Sequence, residues 1–298
     1  MNTYLDCVPC LLRQGLDAVR NVTQDAAVHE RIVKDVLRMA LELDLDRSPP
    51  AFGQAIHRRV RELTGVKDPY LAAKRRFNDL AMAALPELEA VVRQAADPLL
   101  RAAGLAVAAN AIDVGASSAI SDSDVRTALR APSTEATHGD WAGFLGAAAS
   151  AKNILYLADN AGEIAVDRLA IELLGPDRVT VAVRGAPVLN DAVMDDARQV
   201  ELHELVSLVD NGSDAPGTIL EDCSPPFRQL FDRADLIIAK GQGNFETLSG
   251  VKDNIAFWFK VKCPVVARRL GLPVGTHALL PPTAWVPRHG GASLGDPP

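Results

Sequence analysis

Three short apolar runs, each closed by polar residues and a glycine, constrain this chain more than any other feature. Asn153-Ile154-Leu155-Tyr156-Leu157-Ala158 leads into Asp159-Asn160-Ala161-Gly162. Val179-Thr180-Val181-Ala182-Val183 leads into Arg184-Gly185, and Asp235-Leu236-Ile237-Ile238-Ala239 into Lys240-Gly241. Near-continuous apolar runs of this length, alternating with helical pattern such as that from Ile164 to Leu174, read as strands buried on both faces. A mostly parallel sheet with right-handed crossovers is expected. Ligands of such sheets bind outside the carboxyl ends of the strands, where these polar residues and glycines fall.

The N-terminal third has a different texture. Apolar residues recur at helical spacing from Val8 to Val22 and again from Ala26 to Leu45, with charges on the opposite face. Asp44, Asp46 and Pro49-Pro50 close that segment, and a third helix is expected from Ala51 to Leu63, stopping at Gly65. Asp68-Pro69 opens a further helix towards Leu85; Pro86 and Pro98 should start or bend segments. The basic stretches Arg58-Arg59-Val60-Arg61 and Lys74-Arg75-Arg76 read as solvated helix faces. Asp68, Tyr70, Lys74 and Asn78 fall close to helical spacing.

Charge and cysteine usage narrow the partners. A net charge of −7 and a pI near 5.4 argue against nucleic acid, whose phosphates reward clustered Lys and Arg. No run approaches the ~20 apolar residues of a membrane span, and the first residues lack a secretory pattern, so a cytoplasmic protein without membrane attachment is expected. Cys7, Cys10, Cys223 and Cys263 fit reduced thiols rather than a disulfide framework. Cys7 and Cys10 read as small buried apolar residues of a helix, with a thiolate metal site as the alternative.

The three strand ends carry the chemistry. The first supplies Asp159 and Asn160 with Gly162 and Glu163; the second leads through Arg184, Gly185 and Pro187 to Asn190-Asp191; the third delivers Lys240-Gly241-Gln242-Gly243-Asn244. Carboxylates and an amide carbonyl are hard oxygen ligands suited to Mg²⁺ or Mn²⁺, with Co²⁺ or Ni²⁺ also compatible. A lysine beside them would offset the charge of a phosphate. Taken singly, each residue reads equally well as a helix cap or a surface charge. Their convergence on one sheet describes a phosphoryl site with a divalent ion.

Asp159-Asn160-Ala161-Gly162-Glu163-Ile164, Arg184-Gly185-Ala186-Pro187-Val188-Leu189-Asn190-Asp191 and Lys240-Gly241-Gln242-Gly243-Asn244-Phe245-Glu246-Thr247-Leu248 resemble the signature blocks of the metal-dependent damage-control phosphatases. That family is also called acidic-residue methyltransferase-like. The likeness extends to 212–218, to Phe259-Lys260-Val261-Lys262-Cys263-Pro264 and to Cys7-Val8-Pro9-Cys10, the last two resembling its prokaryotic branch. It implies an all-helical cap, placed here at 1–105, and a Rossmann-like three-layer α/β/α catalytic domain at 106–280. A poorly ordered Pro- and Gly-rich tail follows at 281–298.

By the same resemblance Asp159, Asn160 and Asp191 hold the metal, Lys262 contacts the phosphate and Asn244 belongs to the catalytic set with Lys240. Asn110 and Asp113, in Ala109-Asn110-Ala111-Ile112-Asp113, match a block expected near the cleft; Arg184 and Gly241 are placed on the substrate side. Ala109 and Val114 depart from the family's Gly and Phe, which bears on packing. The implied substrates are small phosphorylated metabolites: sugar phosphates, nucleotides or related phosphoesters. The attacker is either Asp159 or a water on the ion. A methyltransferase using S-adenosylmethionine, or a metabolite-binding protein without turnover, are the alternatives; the first strand end lacks the G-x-G turn of the former.

Overall fold

The computed structural model describes residues 1–109 and 137–282. Asn110, Asp113 and the tail beyond 282 lie outside them. Helices α1 (Cys7–Arg20), α2 (Ala26–Leu41) and α3 (Pro49–Thr64) share a small core of their own, built on Leu11, Val19, Ile32, Val36, Phe52, Ile56 and Val60. Their boundaries follow local chemistry. Asp25 caps α2 by accepting from the Ala27 N–H at 2.8 Å. Pro49 and Pro50 open α3 rather than merely closing what precedes it, because a first-turn residue needs no N–H.

Helix α4 (Leu71–Arg93) runs on through Pro86, and α5 (Pro98–Ala109) starts at its proline. Both pack on the sheet side: Phe77, Leu85, Leu88 and Leu105 belong to the same core as Tyr156 and Trp258. The expected division at 105/106 falls inside α5. The core separate from the sheet is that of α1 to α3.

Seven strands, β1 (Thr137–His138), β2 (Ile154–Leu157), β3 (Val179–Val183), β4 (Ser207–Asp210), β5 (Leu236–Lys240), β6 (Ile255–Lys260) and β7 (His277–Leu280), form one sheet among the described residues. Their order is β1-β7-β6-β5-β2-β3-β4, parallel throughout except for β6 against β7. Alternate residues of β2 face opposite layers. Ile154 and Tyr156 meet α6 (Trp141–Ser150) and α7 (Glu163–Leu174) with α4, α5 and α8 (Met194–Gln199). Leu155 and Leu157 meet α9 (Pro225–Arg233), α10 (Gln242–Leu248) and α11 (Pro264–Leu270). The mostly parallel, three-layer α/β/α architecture is therefore as the sequence pattern implies.

The chain proceeds from β2 outward to β3 and β4, then returns to lay β5 on the other flank of β2. The crevice between the ends of β2 and β5 is thus a topological switch point, where open α/β sheets bind ligands. Among the described residues no helix is long and apolar enough to cross a membrane.

Candidate active site

Backbone pairing brings the first two strand ends together. Asn160 and Asp191 form an isolated antiparallel bridge, the Ala192 N–H donates to the Asp159 carbonyl at 2.7 Å, and the Ala161 N–H to Asn190 at 2.9 Å. Asp159, Asn160 and Asp191, distant in sequence, become neighbours whose side chains are only 8, 7 and 3 % exposed as residues. The Asn160 amide nitrogen donates to Asp159 Oδ2 at 2.7 Å and to Glu163 Oε2 at 3.0 Å. From the third strand end Gly241 closes in with φ +80°; a Cβ there would stand 2.0 Å from Asp159 Oδ2. Only glycine fits both the backbone conformation and the approach.

Arg184 spans the two aspartates. Its Nε donates to Asp191 Oδ2 at 2.7 Å and its Nη2 stands 3.7 Å from Asp159 Oδ1 without a hydrogen bond of its own. Its Nη1 is steadied by Asn244 Oδ1 and the Thr218 hydroxyl at 3.3 and 3.4 Å. Burial, then the nearby Asp191 and Glu163 charges, push the Asp159 carboxyl up to about 7 against the pull of Lys262 and Arg184. Burial also raises Asp191, opposed by Arg184, Lys74 and Lys262. Two buried carboxyls thus lie on either side of one guanidinium.

The structure gives several expected residues other work. Lys240 is fully buried and its ammonium is committed to Glu163 Oε1 at 2.6 Å, Asp167 Oδ1 at 2.5 Å and the Ala106 carbonyl at 3.3 Å. Three donors are thereby used, which leaves none for a phosphate. Asn244 also has structural partners: its nitrogen donates to the Lys240 carbonyl at 2.7 Å, and its oxygen accepts from Thr218 and Arg184. The Gly241 N–H goes to the Trp258 carbonyl at 3.0 Å. Lys262, by contrast, is exposed on the loop after β6, within electrostatic reach of both Asp159 and Asp191.

Other residues prove central that the strand-end pattern did not reveal. The α4 residue Asn78 accepts from the Gly162 N–H at 2.6 Å and donates to Asp196 and Gln199, while Lys74 is fully buried between Asp68 and Asp196. The helical spacing of Asp68, Lys74 and Asn78 carried that signal; the solvated reading of Lys74 does not hold. Arg58 is exposed as expected, whereas Arg61 is mostly covered. Both grip Asp214, as does Gln54 at 2.7 Å, because the 212–218 loop lies against α3. Arg59 pairs with Asp35. Cys10 is exposed and Cys7 half-buried, so they are not the buried pair expected. Among the described residues no three His, Cys, Asp or Glu side chains are arranged to hold a metal.

Residues 3–278 match the model of the damage-control phosphatase ARMT1-like domain. The chain belongs to that family. Among damage-control phosphatases, one from Archaeoglobus fulgidus is 33 % identical, over 90 % of this chain and 95 % of its own. One from Pyrococcus horikoshii is 31 % identical, over 92 % of this chain and 96 % of its own. An uncharacterized protein of Methanocaldococcus jannaschii is 34 % identical over 92 % of this chain and 94 % of its own. The crystal structure of a DUF89-family protein from Pyrococcus horikoshii superposes with a TM-score of 0.83 at 28 % identity, covering 95 % of this chain and all of that one.

The donor set of this family member suits a cation. Both hydrogens of the Asn160 amide are directed at carboxylates, so Oδ1 is the atom available to a ligand. Two buried carboxyls drawn together by Arg184 and one amide oxygen make a hard donor set of the kind that divalent ions take. The residues present fit Mg²⁺ or Mn²⁺.

Proposed function

We propose that this chain is a metal-dependent phosphoric monoester hydrolase acting on small phosphorylated metabolites, sugar phosphates or nucleotides among them, in metabolite damage control. The observation that carries the reading is the convergence of Asp159, Asn160 and Asp191 at the switch-point crevice, spanned by Arg184 and approached by Lys262. Family membership supports phosphoester hydrolysis as the reaction. A cytoplasmic setting accords with four cysteines free of disulfides.

Each residue has a distinct task. Asp159, Asn160 and Asp191 would hold the divalent ion, which when bound supplies positive charge to a non-bridging phosphate oxygen. Arg184 fixes the rotamer of Asp191 and keeps Nη2 over Asp159, so charge developing on a phosphoryl group meets a preorganised guanidinium. Asn244 and Thr218 hold that guanidinium in plane. Lys262, on an exposed loop, offsets the charge of an incoming phosphate. Lys240 acts from beneath, through Glu163.

The test is phosphate release over a panel of sugar phosphates, nucleotides and phosphopantetheine-like compounds, each with Mg²⁺, Mn²⁺, Co²⁺ and Ni²⁺. At least one ester should be hydrolysed in a metal-dependent manner. Asp159→Asn should keep the fold and lower turnover at least ~10²-fold, the scale of losing one key electrostatic group. Full turnover in that variant, or no hydrolysis anywhere on the panel, would remove the proposal.

A further inference from the structure

We propose that Glu163 is a positioning residue that turns the Asn160 amide so that its oxygen faces the cation, with Lys240 anchoring Glu163 in that task. The inference rests on reading Asp159, Asn160 and Asp191 as cation ligands, and it assigns roles to Glu163 and Lys240 that phosphate contact does not explain.

The orientation of a side-chain amide is decided by its neighbours. Here Asn160 Nδ2 lies 2.7 Å from Asp159 Oδ2 and 3.0 Å from Glu163 Oε2. A carboxylate held by an ammonium, as Glu163 is by Lys240, accepts hydrogen bonds, so the nitrogen must face it; a flipped amide would set oxygen against oxygen. Asp159 alone is a poor guide for the amide, since the same carboxylate is needed on the ion. Glu163 is better placed. It is the first residue of α7, 1 % exposed, and its second oxygen receives the Lys240 ammonium at 2.6 Å.

Lys240 in turn is pinned one helical turn further on by Asp167 Oδ1 at 2.5 Å and by the Ala106 carbonyl at 3.3 Å. The start of α7 is fixed as well, because Asn78 Oδ1 accepts the Gly162 N–H at 2.6 Å. Asp167, Lys240, Glu163 and Asn160 therefore form a continuous buried line of hydrogen bonds ending at a ligand. Outer partners that orient metal ligands in this way typically account for 10- to 100-fold in metal affinity.

Two variants separate position from charge, with Mn²⁺ affinity as the readout and thermal melting to establish the fold. Glu163→Asp keeps the negative charge but is a methylene too short to hold both Lys240 and Asn160. Glu163→Gln offers its oxygen to Lys240 and a donor to Asn160, reversing the amide. Each should weaken Mn²⁺ binding about 10- to 100-fold while melting cooperatively, with the substrate KM at saturating Mn²⁺ unchanged. Wild-type affinity in a folded Glu163→Asp, with loss only in Glu163→Gln, would show that charge alone matters and overturn the inference. The wild-type protein gives a check independent of variant folding. In its Mn²⁺-bound crystal structure Asn160 Oδ1 should lie on the ion with Nδ2 still hydrogen-bonded to Glu163; a Glu163 oxygen on the ion overturns the assignment. Wild-type protein that binds no Mn²⁺ sinks the cation reading as well, whereas tight wild-type binding with an unaffected Glu163→Asp sinks this inference alone.

Discussion

Asp159 and Gly241, on the loops after neighbouring strands, meet through an absent side chain: a Cβ at Gly241 would overlap Asp159, 2.0 Å from Oδ2. The carboxylate at the heart of the site occupies space that any other residue at 241 would fill. The position of Asp159 is thus set by the third strand end as much as by its own.

Gly241→Ala should therefore impair the site and the fold together. The backbone conformation there, φ +80° and ψ 156°, is essentially reserved for glycine and adds about 1–3 kcal/mol of strain. Mn²⁺-dependent phosphate release should fall at least ~10²-fold as Asp159 is displaced. Gly65→Ala is the control: φ is +69° but nothing lies within 4 Å of the added methyl. It should lower the melting temperature and leave release unchanged.

Much of this arrangement is legible in the sequence, and the limits are physical. Strand ends betray themselves because a buried strand must be apolar and its exit must turn, so Asp159, Asn160, Arg184 and Gly241 stand out locally. Helical periodicity marks α1 to α4 for the same reason. What a local pattern cannot carry is the partner of a charge. Lys240 looks like a free cation at a strand end, yet it is consumed by Glu163 and Asp167, which share one face of α7 at i and i+4. Arg58 and Arg61 look solvated by their own helix but meet Asp214 more than 150 residues on. Only the tertiary fold brings such pairs together.

That long-range contact makes a second prediction. Asp214 is mostly buried; although burial pushes its carboxyl up, Arg58, Gln54 and Arg61 hold it below the usual range. Asp214→Asn removes the anion that Arg58 and Arg61 share, leaving Arg58 only Asp222 at 3.5 Å, and should destabilise the protein by about 2 kcal/mol in chemical denaturation. Glu30→Gln, which breaks the exposed pair with Lys34, should leave the denaturation midpoint where it was.

Acid should unfold the protein partly through His57. Burial, then the charge of Arg61, pushes this imidazole down to about 4, with Asp214 opposing, and its Nε2 has no hydrogen-bond partner. A group whose folded pKa lies below its unfolded value of about 6.5 is neutral in the native state at pH 7. Its contribution is complete above about pH 6.5 and is lost as pH falls towards 4. Between pH 7 and pH 5 this amounts to about 2 kcal/mol. His57→Phe should remove that part of the slope in denaturation curves at the two pH values; an unchanged slope would contradict the assignment.

The most direct test of the cation reading is phosphate release by wild-type protein stripped with EDTA and then resupplied with Mn²⁺, with Asp191→Asn treated in parallel. Release should vanish on stripping and return with Mn²⁺ in the wild type alone. Undiminished release from the stripped protein, or full recovery in Asp191→Asn, would contradict a site in which these side chains share an ion.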